Sequence, residues 1–180
     1  MTSAYKNQIL NRIWRPVEGR APLCIYALVD AAISETIYPK IMSAGVNSVC
    51  LHRGKNAEEL AWVASYLVSL EKDDPFVHWL LDTGWGKVRF IFVRSLVGLN
   101  QFKPHFLTFL TVYDSEGKSY FFRFYDPKVF RTYLPACNEM ELRSVFAPVE
   151  SYIVEEKDPD VLLHFSTVEE KLKKETLALA

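Results

Sequence analysis

The segment Cys24–Asp30 has the sequence CIYALVD, a continuous apolar run that begins after Pro22 and ends at an aspartate. Such a run is typical of a buried strand. Asp30 precedes Ala31 and Ala32, and an aspartate in that place is a favoured helix cap. The segment therefore predicts a buried strand that leads directly into a helix.

Strand-like and helical segments alternate outward from this strand, and a hairpin follows later in the chain. Helices are predicted near residues 9–14, 37–44, 56–68, 75–84, 106–110, 127–133 and 139–146. Further strands are predicted over residues 46–51, 89–93, 151–154 and 161–165. The sequence has no repeats and no obvious linker. We therefore expect a single α/β or α+β domain, with a mixed β-sheet flanked by helices and a C-terminal hairpin–helix unit.

The hairpin is the strongest local signal, because a short loop closed by Gly117 joins two β-rich runs. Its return strand is predicted over residues 118–125. Side chains alternate along a strand, so one face is expected to carry Tyr120, Phe122 and Phe124. Asp126 and Pro127 then supply a cap and a first-turn proline for the next helix.

Arg123 lies among these aromatic residues, and an arginine buried there would need an acidic partner. Asp30 and Asp126 are the two candidates, since both are predicted at strand-to-helix corners. The structural interpretation of the motif is that Arg123 pairs with a carboxylate, Asp126 caps a helix and the aromatic rings face the core.

The composition excludes several classes of protein. Hydrophobic residues make up 49% of the 180 residues, which is enough to build a core and excludes disorder over most of the chain. The net charge of -1 disfavours a protein that grips nucleic acid. Aromatic residues reach 14%, and such residues dominate both cores and recognition surfaces.

Signals for chemistry are weak. Cys24, Cys50 and Cys137 are too few and too widely spaced for a disulfide framework or a zinc knuckle, and Cys24 and Cys50 are expected to be buried. Cys50 and His52 could share a strand face, but a zinc site needs three or four ligands. No metal or other cofactor is predicted, and the enzyme alternative depends on Cys50, His52 and a carboxylate meeting in a cleft.

A nucleic-acid-binding module is the other alternative. Basic residues interleave with Tyr120, Phe121 and Tyr125 near the hairpin, and they are Lys118, Arg123, Lys128 and Arg131. A sheet that presents such residues can stack bases. The fuller ribonucleoprotein signature is absent, so this alternative is less favoured. No signal peptide and no apolar run of membrane-spanning length is seen, which favours the cytoplasm and no membrane partner.

Several stretches together resemble the DUF4123 family in order and spacing. They are Tyr26–Asp30, Cys50-Leu51, residues 60–70, Trp79-Leu80, Arg123–Pro127 and Tyr133–Pro135. The resemblance covers residues 23–147. That family comprises adaptor chaperones of bacterial type VI secretion systems, which bind a toxic effector in the cytoplasm and help to load it onto a VgrG-type spike. The resemblance therefore implies a non-enzymatic protein whose partners are an effector and a spike.

The resemblance also suggests how the chain is divided. We expect an N-terminal helical extension over residues 1–22, a DUF4123-like domain over residues 23–166 and a charged helical tail over residues 167–180. Many relatives have a longer, variable C-terminal lobe, which would be short or missing here. Partner contacts are expected from Trp85, Phe121 and Tyr125, while Asp30, Arg123, Asp126 and Pro127 would maintain the shape of the binding cradle.

Overall fold

The computed structural model describes residues 1–52, 58–87 and 89–179. Its α-helices are α1 (Ser3–Ile13), α2 (Ile37–Ala44), α3 (Pro75–Gly84), α4 (Leu99–Phe109), α5 (Pro127–Tyr133) and α6 (Glu139–Phe146). Its strands are β1 (Cys24–Asp30), β2 (Ser48–Cys50), β3 (Ser65–Leu70), β4 (Phe90–Ser95), β5 (Thr111–Tyr113), β6 (Ser119–Phe121), β7 (Ser151–Glu155), β8 (Val161–Val168) and β9 (Lys171–Ala178). Short 3₁₀-helices occupy Ala31–Ile33, Ala61–Val63 and Leu134–Ala136.

Seven strands form the main sheet in the order β2-β3-β1-β4-β7-β8-β9, and β5 and β6 form a separate two-stranded sheet. The single α+β domain is therefore confirmed. The expected mixture of parallel and antiparallel strands is not found, because every pairing within the described residues is antiparallel. Strand β1 lies centrally, and its Ala27 is opposite both Val68 of β3 and Phe92 of β4.

The alternation of side chains along β1 divides the core into two layers. Ile25, Ala27 and Val29 lie on the face that α1, α2 and α3 cover. Tyr26 and Leu28 lie on the other face, under α4, α5 and α6. Both faces of the sheet are covered, which explains why β1 reads as a continuous apolar run.

The predicted helix over residues 56–68 is wrong throughout its described part, where residues 58–60 form a turn, Ala61–Val63 a single 3₁₀ turn and the rest leads into a strand. Residues Ser65–Leu70 form β3, which pairs with β1 over six residues. Ala64 and Val68 have helical spacing, but burial against β1 and packing on both faces outweigh this local preference. The proposed cap at Asn56 lies outside the described residues.

The predicted helical tail over residues 167–180 is also wrong. Lys171–Ala178 is an edge strand that pairs with β8 along eight residues. The two strands are joined by Glu169 and Glu170, which both have positive φ, as a two-residue hairpin turn of the primed type requires. The residues of β9 favour a helix in isolation, and no glycine or asparagine marks the turn.

Helix α4 begins earlier than predicted. It starts at Leu99, so that Pro104 lies inside the helix and not in its first turn. Its ring contributes no N–H, which leaves one helical hydrogen bond unmade.

Cys24 is exposed and Cys50 is partly buried, so the expectation that both are buried is wrong for Cys24.

Candidate partner-binding site

Asp30 stands where β1 ends on the side of the sheet covered by α4, α5 and α6. Its side chain is buried, and its Oδ1 accepts a hydrogen bond from the backbone N–H of Ala32 at 2.9 Å. This bond starts the 3₁₀-helix Ala31–Ile33. The predicted cap at the strand-to-helix corner is therefore confirmed, with a 3₁₀-helix in place of an α-helix.

Arg123 is the ionic partner of Asp30, which is one of the two candidates that the sequence left open. Its Nη1 lies 3.6 Å from Asp30 Oδ2, while 53% of the arginine side chain remains exposed. The pair joins the segment after the hairpin to the end of β1, since the two residues are far apart in sequence. The arginine thus holds a surface turn against the main sheet.

The turn itself is closed by a hydrogen bond from the N–H of Asp126 to the carbonyl oxygen of Arg123, at 3.0 Å. Asp126 Oδ1 then accepts from the N–H of Lys128 at 2.8 Å and caps α5. Pro127 occupies the first turn of α5 and is buried. The predicted cap and first-turn proline are both confirmed.

Burial raises the pKa of the Asp30 carboxyl, because a charged form is poorly solvated there. The Ala32 N–H and the positive charge of Arg123 both oppose this rise. Asp126 lies near enough to add to it, since a second negative charge disfavours ionisation. The positive charge of Arg123 therefore stabilises the ionised form of Asp30, which burial disfavours.

Two of the three expected contact residues are in the core. Trp85 is only 7% exposed, and its indole Nε1 donates to the carbonyl oxygen of Pro159 at 3.0 Å. Tyr125 is buried beside Phe124, and burial raises the pKa of its hydroxyl to about 12. These positions correct the expectation that both rings contact a partner, because their apolar surface is already covered by the protein itself.

Phe121 differs from them because 52% of it is exposed. Its ring centroid lies 5.7 Å from that of His52, at the border of a cleft of about 240 Å³. The cleft lies between the hairpin, α4 and the segment that follows β2, and it is lined by Leu51, His52, Leu107, Leu110, Thr111 and Phe121. Leu51, Leu107, Leu110 and Phe121 are its apolar residues, and His52 and Thr111 add polar surface.

The hairpin adds further exposed apolar residues to Phe121. We call Val112, Tyr113, Tyr120 and Phe121 the hairpin surface, and all four are exposed. The register of β5 and β6 places Tyr113 and Phe121 on one face and the directly opposed Val112 and Tyr120 on the other. Tyr120 donates to Asp114 Oδ2 at 3.0 Å and has the Lys118 ammonium group over its ring.

Residues that sequence reasoning overlooked are Tyr113 and Trp62. Trp62 is the most exposed tryptophan described, in the 3₁₀-helix that packs beside Ala31–Ile33. Tyr120, Phe122 and Phe124 are expected to share a core face, but only Phe124 is buried. The reason is that β6 ends at Phe121 and the chain then leaves the strand. The short length of β6 is the feature that the aromatic pattern concealed.

Cys50 and His52 are adjacent, with the backbone N–H of His52 directed at Cys50 Sγ at 3.4 Å. Within the described residues the His52 Nδ1 is buried and has no hydrogen-bond partner. No group of three or more His, Cys, Asp or Glu side chains gathers as a metal site within residues 1–52, 58–87 and 89–179. In the same part of the chain, every helix is too short or too polar to cross a bilayer.

Comparison with known proteins gives one match. The sequence profile of a domain of unknown function, DUF4123, matches residues 25–144. No curated protein and no solved structure matches the chain. The matched segment contains β1 from Ile25 onward, the Asp30–Arg123 pair, the hairpin and α5, and it covers more than half of the chain. The chain therefore belongs to the DUF4123 family.

Proposed function

We propose that this protein is a cytoplasmic adaptor chaperone that binds a type VI secretion effector and helps to load it onto a VgrG-type spike. Membership of the DUF4123 family supports the proposal. The motifs within residues 23–147 also resemble those of the adaptor chaperones in that family. The observation that carries it in the structure is the exposed hairpin surface beside a partly apolar cleft. Apolar residues exposed together, with polar residues around them, are typical of a surface that receives another protein.

The binding step is assigned to one face of the hairpin. Tyr113 and Phe121 lie on that face, and Phe121 borders the cleft over His52. An apolar segment of the effector would cover these rings and enter the cleft, which removes apolar surface from water. Arg123 and Asp30 would act by holding the turn after β6 in place, since their pair joins that turn to the sheet.

The test is co-purification of the effector with variants of the hairpin. The candidate effector is the product of the reading frame downstream of this gene, co-expressed with a tagged copy of this protein. The substitutions Phe121→Ala and Tyr113→Ala together are expected to reduce the captured effector about tenfold or more, because central aromatic residues carry most of the affinity of an interface. Thermal stability should hardly change, because both side chains are exposed.

Met140→Ala is the matched control, since Met140 is an exposed apolar residue on α6, away from the hairpin. Arg123→Ala is expected to lower thermal stability and effector capture together; lost capture at unchanged stability would make Arg123 a direct contact. Equal capture by the double variant and the unmodified protein would contradict the assigned surface. Failure of the unmodified protein to capture the effector would contradict the adaptor role for that pair.

A further inference from the structure

A small cavity opens at the other end of β1, between the segment that follows α1 and the end of β4. Its volume is about 180 Å³. Three arginines line it, Arg15, Arg20 and Arg94, and no acidic residue is among its described lining. The remaining walls are mostly apolar and are formed by Trp14, Pro16, Val17, Ala21, Pro22, Leu23 and Ile25.

Arg94 forms the buried end of this cavity. It lies on β4, opposite Ile25 of β1 and Ser151 of β7, and it is only 4% exposed. Its Nη2 donates to the carbonyl oxygen of Arg15, whereas its buried Nε has no hydrogen-bond partner in the described structure. A buried guanidinium N–H without an acceptor is costly, so a ligand atom that accepts from it would be stabilised.

Arg94 and Arg15 also line a second, adjoining cavity. That cavity also contains three carboxylates, Glu18, Glu150 and Glu175, and two further cations, Arg12 and Lys173. Glu175 pairs with Lys173 at 2.9 Å and lies 3.2 Å from His164 Nδ1, while Glu150 Oε2 accepts from the Ser151 hydroxyl at 2.6 Å. Within the described residues, none of the three carboxylates is within ion-pair distance of Arg94.

The charges that face Arg94 do not cancel. Burial lowers the pKa of its guanidinium, the carboxylate of Glu150 opposes this change and the positive charge of Arg15 adds to it. Arg15 and Arg20 are exposed at the mouth of the cavity and have no acidic partner in the described structure. The described lining of the smaller cavity therefore carries three positive charges and no negative one, whereas Glu18, Glu150 and Glu175 line the adjoining cavity.

We propose that this cavity binds a carboxylate attached to an apolar body, such as the end of a peptide segment of a partner protein. The guanidinium groups would hold the carboxylate with charge-assisted hydrogen bonds, for which the planar fork of arginine is well suited. Trp14, Val17 and Leu23 would contact the apolar body. The volume suits one residue-sized group, since sites for whole cofactors are larger.

This proposal is independent of the adaptor role. Arg94 lies beside Ile25 at the start of β1, whereas the Asp30–Arg123 pair lies at its end. The cavity and the hairpin surface can therefore be tested separately, and loss of one site leaves the other intact.

The experiment titrates the ¹⁵N-labelled full chain with four small probes and follows its ¹H–¹⁵N spectrum. N-acetyl-leucine carries a carboxylate on an apolar body, N-acetyl-leucinamide has the same body without the charge, and acetate and inorganic phosphate have charge without the body. N-acetyl-leucine is expected to shift the Arg94 Nε–Hε signal and the amides of residues 14–25 in a saturable way. N-acetyl-leucinamide is expected to produce no saturable shift there.

The variant Arg15→Gln/Arg20→Gln is expected to bind N-acetyl-leucine about tenfold more weakly, because it loses two charge-assisted donors at exposed positions. Arg143→Gln is the matched control, since Arg143 is exposed on α6 and pairs with Glu170. Equal binding of the amide probe, or an unchanged affinity in the double variant, would overturn the proposal. Inorganic phosphate or acetate binding as tightly as N-acetyl-leucine would overturn the part played by the apolar walls.

Discussion

Asp30 is a buried carboxylate with two unequal partners. The backbone N–H of Ala32 donates a hydrogen bond of 2.9 Å to Asp30 Oδ1. The guanidinium of Arg123 is half exposed, and its Nη1 lies 3.6 Å from Asp30 Oδ2. Water screens the arginine, so its contribution is that of a partly exposed ion pair, about 1 kcal/mol. The direction of the pKa shift shows that burial still outweighs both partners.

The substitution Arg123→Ala should reduce the free energy of unfolding near neutral pH by about 1 kcal/mol. A carboxyl whose pKa is higher in the folded than in the unfolded protein binds more protons in the folded state. The free energy of unfolding therefore falls as the pH rises from the unfolded to the folded pKa of Asp30. Loss of Arg123 raises the pKa of Asp30 further and makes this fall steeper. Urea denaturation at several pH values between about 3 and about 7 measures the effect.

Asp30→Asn supplies the control, since it keeps an oxygen that can cap Ala32 but does not titrate. In that background Arg123→Ala should change stability little, because the charge that the arginine supports is gone. A loss of stability from Arg123→Ala that is the same at low and neutral pH would contradict the electrostatic explanation.

The caps and the first-turn proline of this motif could be predicted because their roles are local. An aspartate before a helix and a proline in its first turn are read from adjacent positions, as Asp126 and Pro127 illustrate. The positions of Trp85 and Tyr125 could not be predicted, because burial of an aromatic ring depends on residues distant in sequence. The acceptor for Trp85 Nε1, for example, is the carbonyl of Pro159.

Helix α3 packs so closely on β4 that its last residue has no room for a side chain. A Cβ placed on Gly84 would lie 2.4 Å from Cε1 of Phe90, whose ring is buried against Phe92 at a centroid distance of 5.1 Å. Gly84→Ala gains about 1 kcal/mol of helix propensity. The overpacking costs about 1–3 kcal/mol, so we expect a net loss of about 1 kcal/mol in the free energy of unfolding.

Thermal and urea denaturation of Gly84→Ala measure this loss. Gly98→Ala is the matched control, because no atom lies within 4 Å of the Cβ position at Gly98. A small cost of a few tenths of a kcal/mol is expected there, since glycine is a better N-cap than alanine. Increased stability of Gly84→Ala would show that α3 can move away from β4.

Elements with their own start and stop signals could be predicted well, and those that depend on pairing could not. Helix α6 has the predicted bounds, and the structure adds a capping box between Asn138 and Glu141. Strand β9 contains lysine, glutamate, leucine and alanine, which favour a helix locally, yet it pairs with β8. Pairing of eight residues with β8 and coverage of its edge stabilise β9 as a strand. Both depend on the tertiary structure and not on the local sequence.

The whole sheet depends on strands beyond the segment that matches the family. Strands β7, β8 and β9 follow residue 144, and they provide three of the seven strands. Residues of β7 and β8, such as Tyr152 and Phe165, are fully buried in the layer that contains α5. The family segment and the residues after it therefore share one core.

Removal of residues 171–180 should destabilise the protein by at least about 2 kcal/mol, because it exposes the edge of β8 and removes buried Leu179. The open edge should also promote association between chains. Denaturation and light scattering measure the two effects. Lys171→Ala, which keeps β9 in place, is the control and should behave like the unmodified protein; a monomeric truncation of unchanged stability would contradict this prediction.

The strand order also fixes a sequence of events during synthesis. Phe92 of β4 is opposite Ile153 of β7, so β4 must wait until the intervening chain has been synthesised before it can pair with this second neighbouring strand. At 5–20 residues per second, that wait is about 3 to 12 s. Throughout it, one edge of an apolar strand at the centre of the sheet has no partner from its own chain. Slow codons between residues 96 and 150 would lengthen this interval and lower the yield of folded protein.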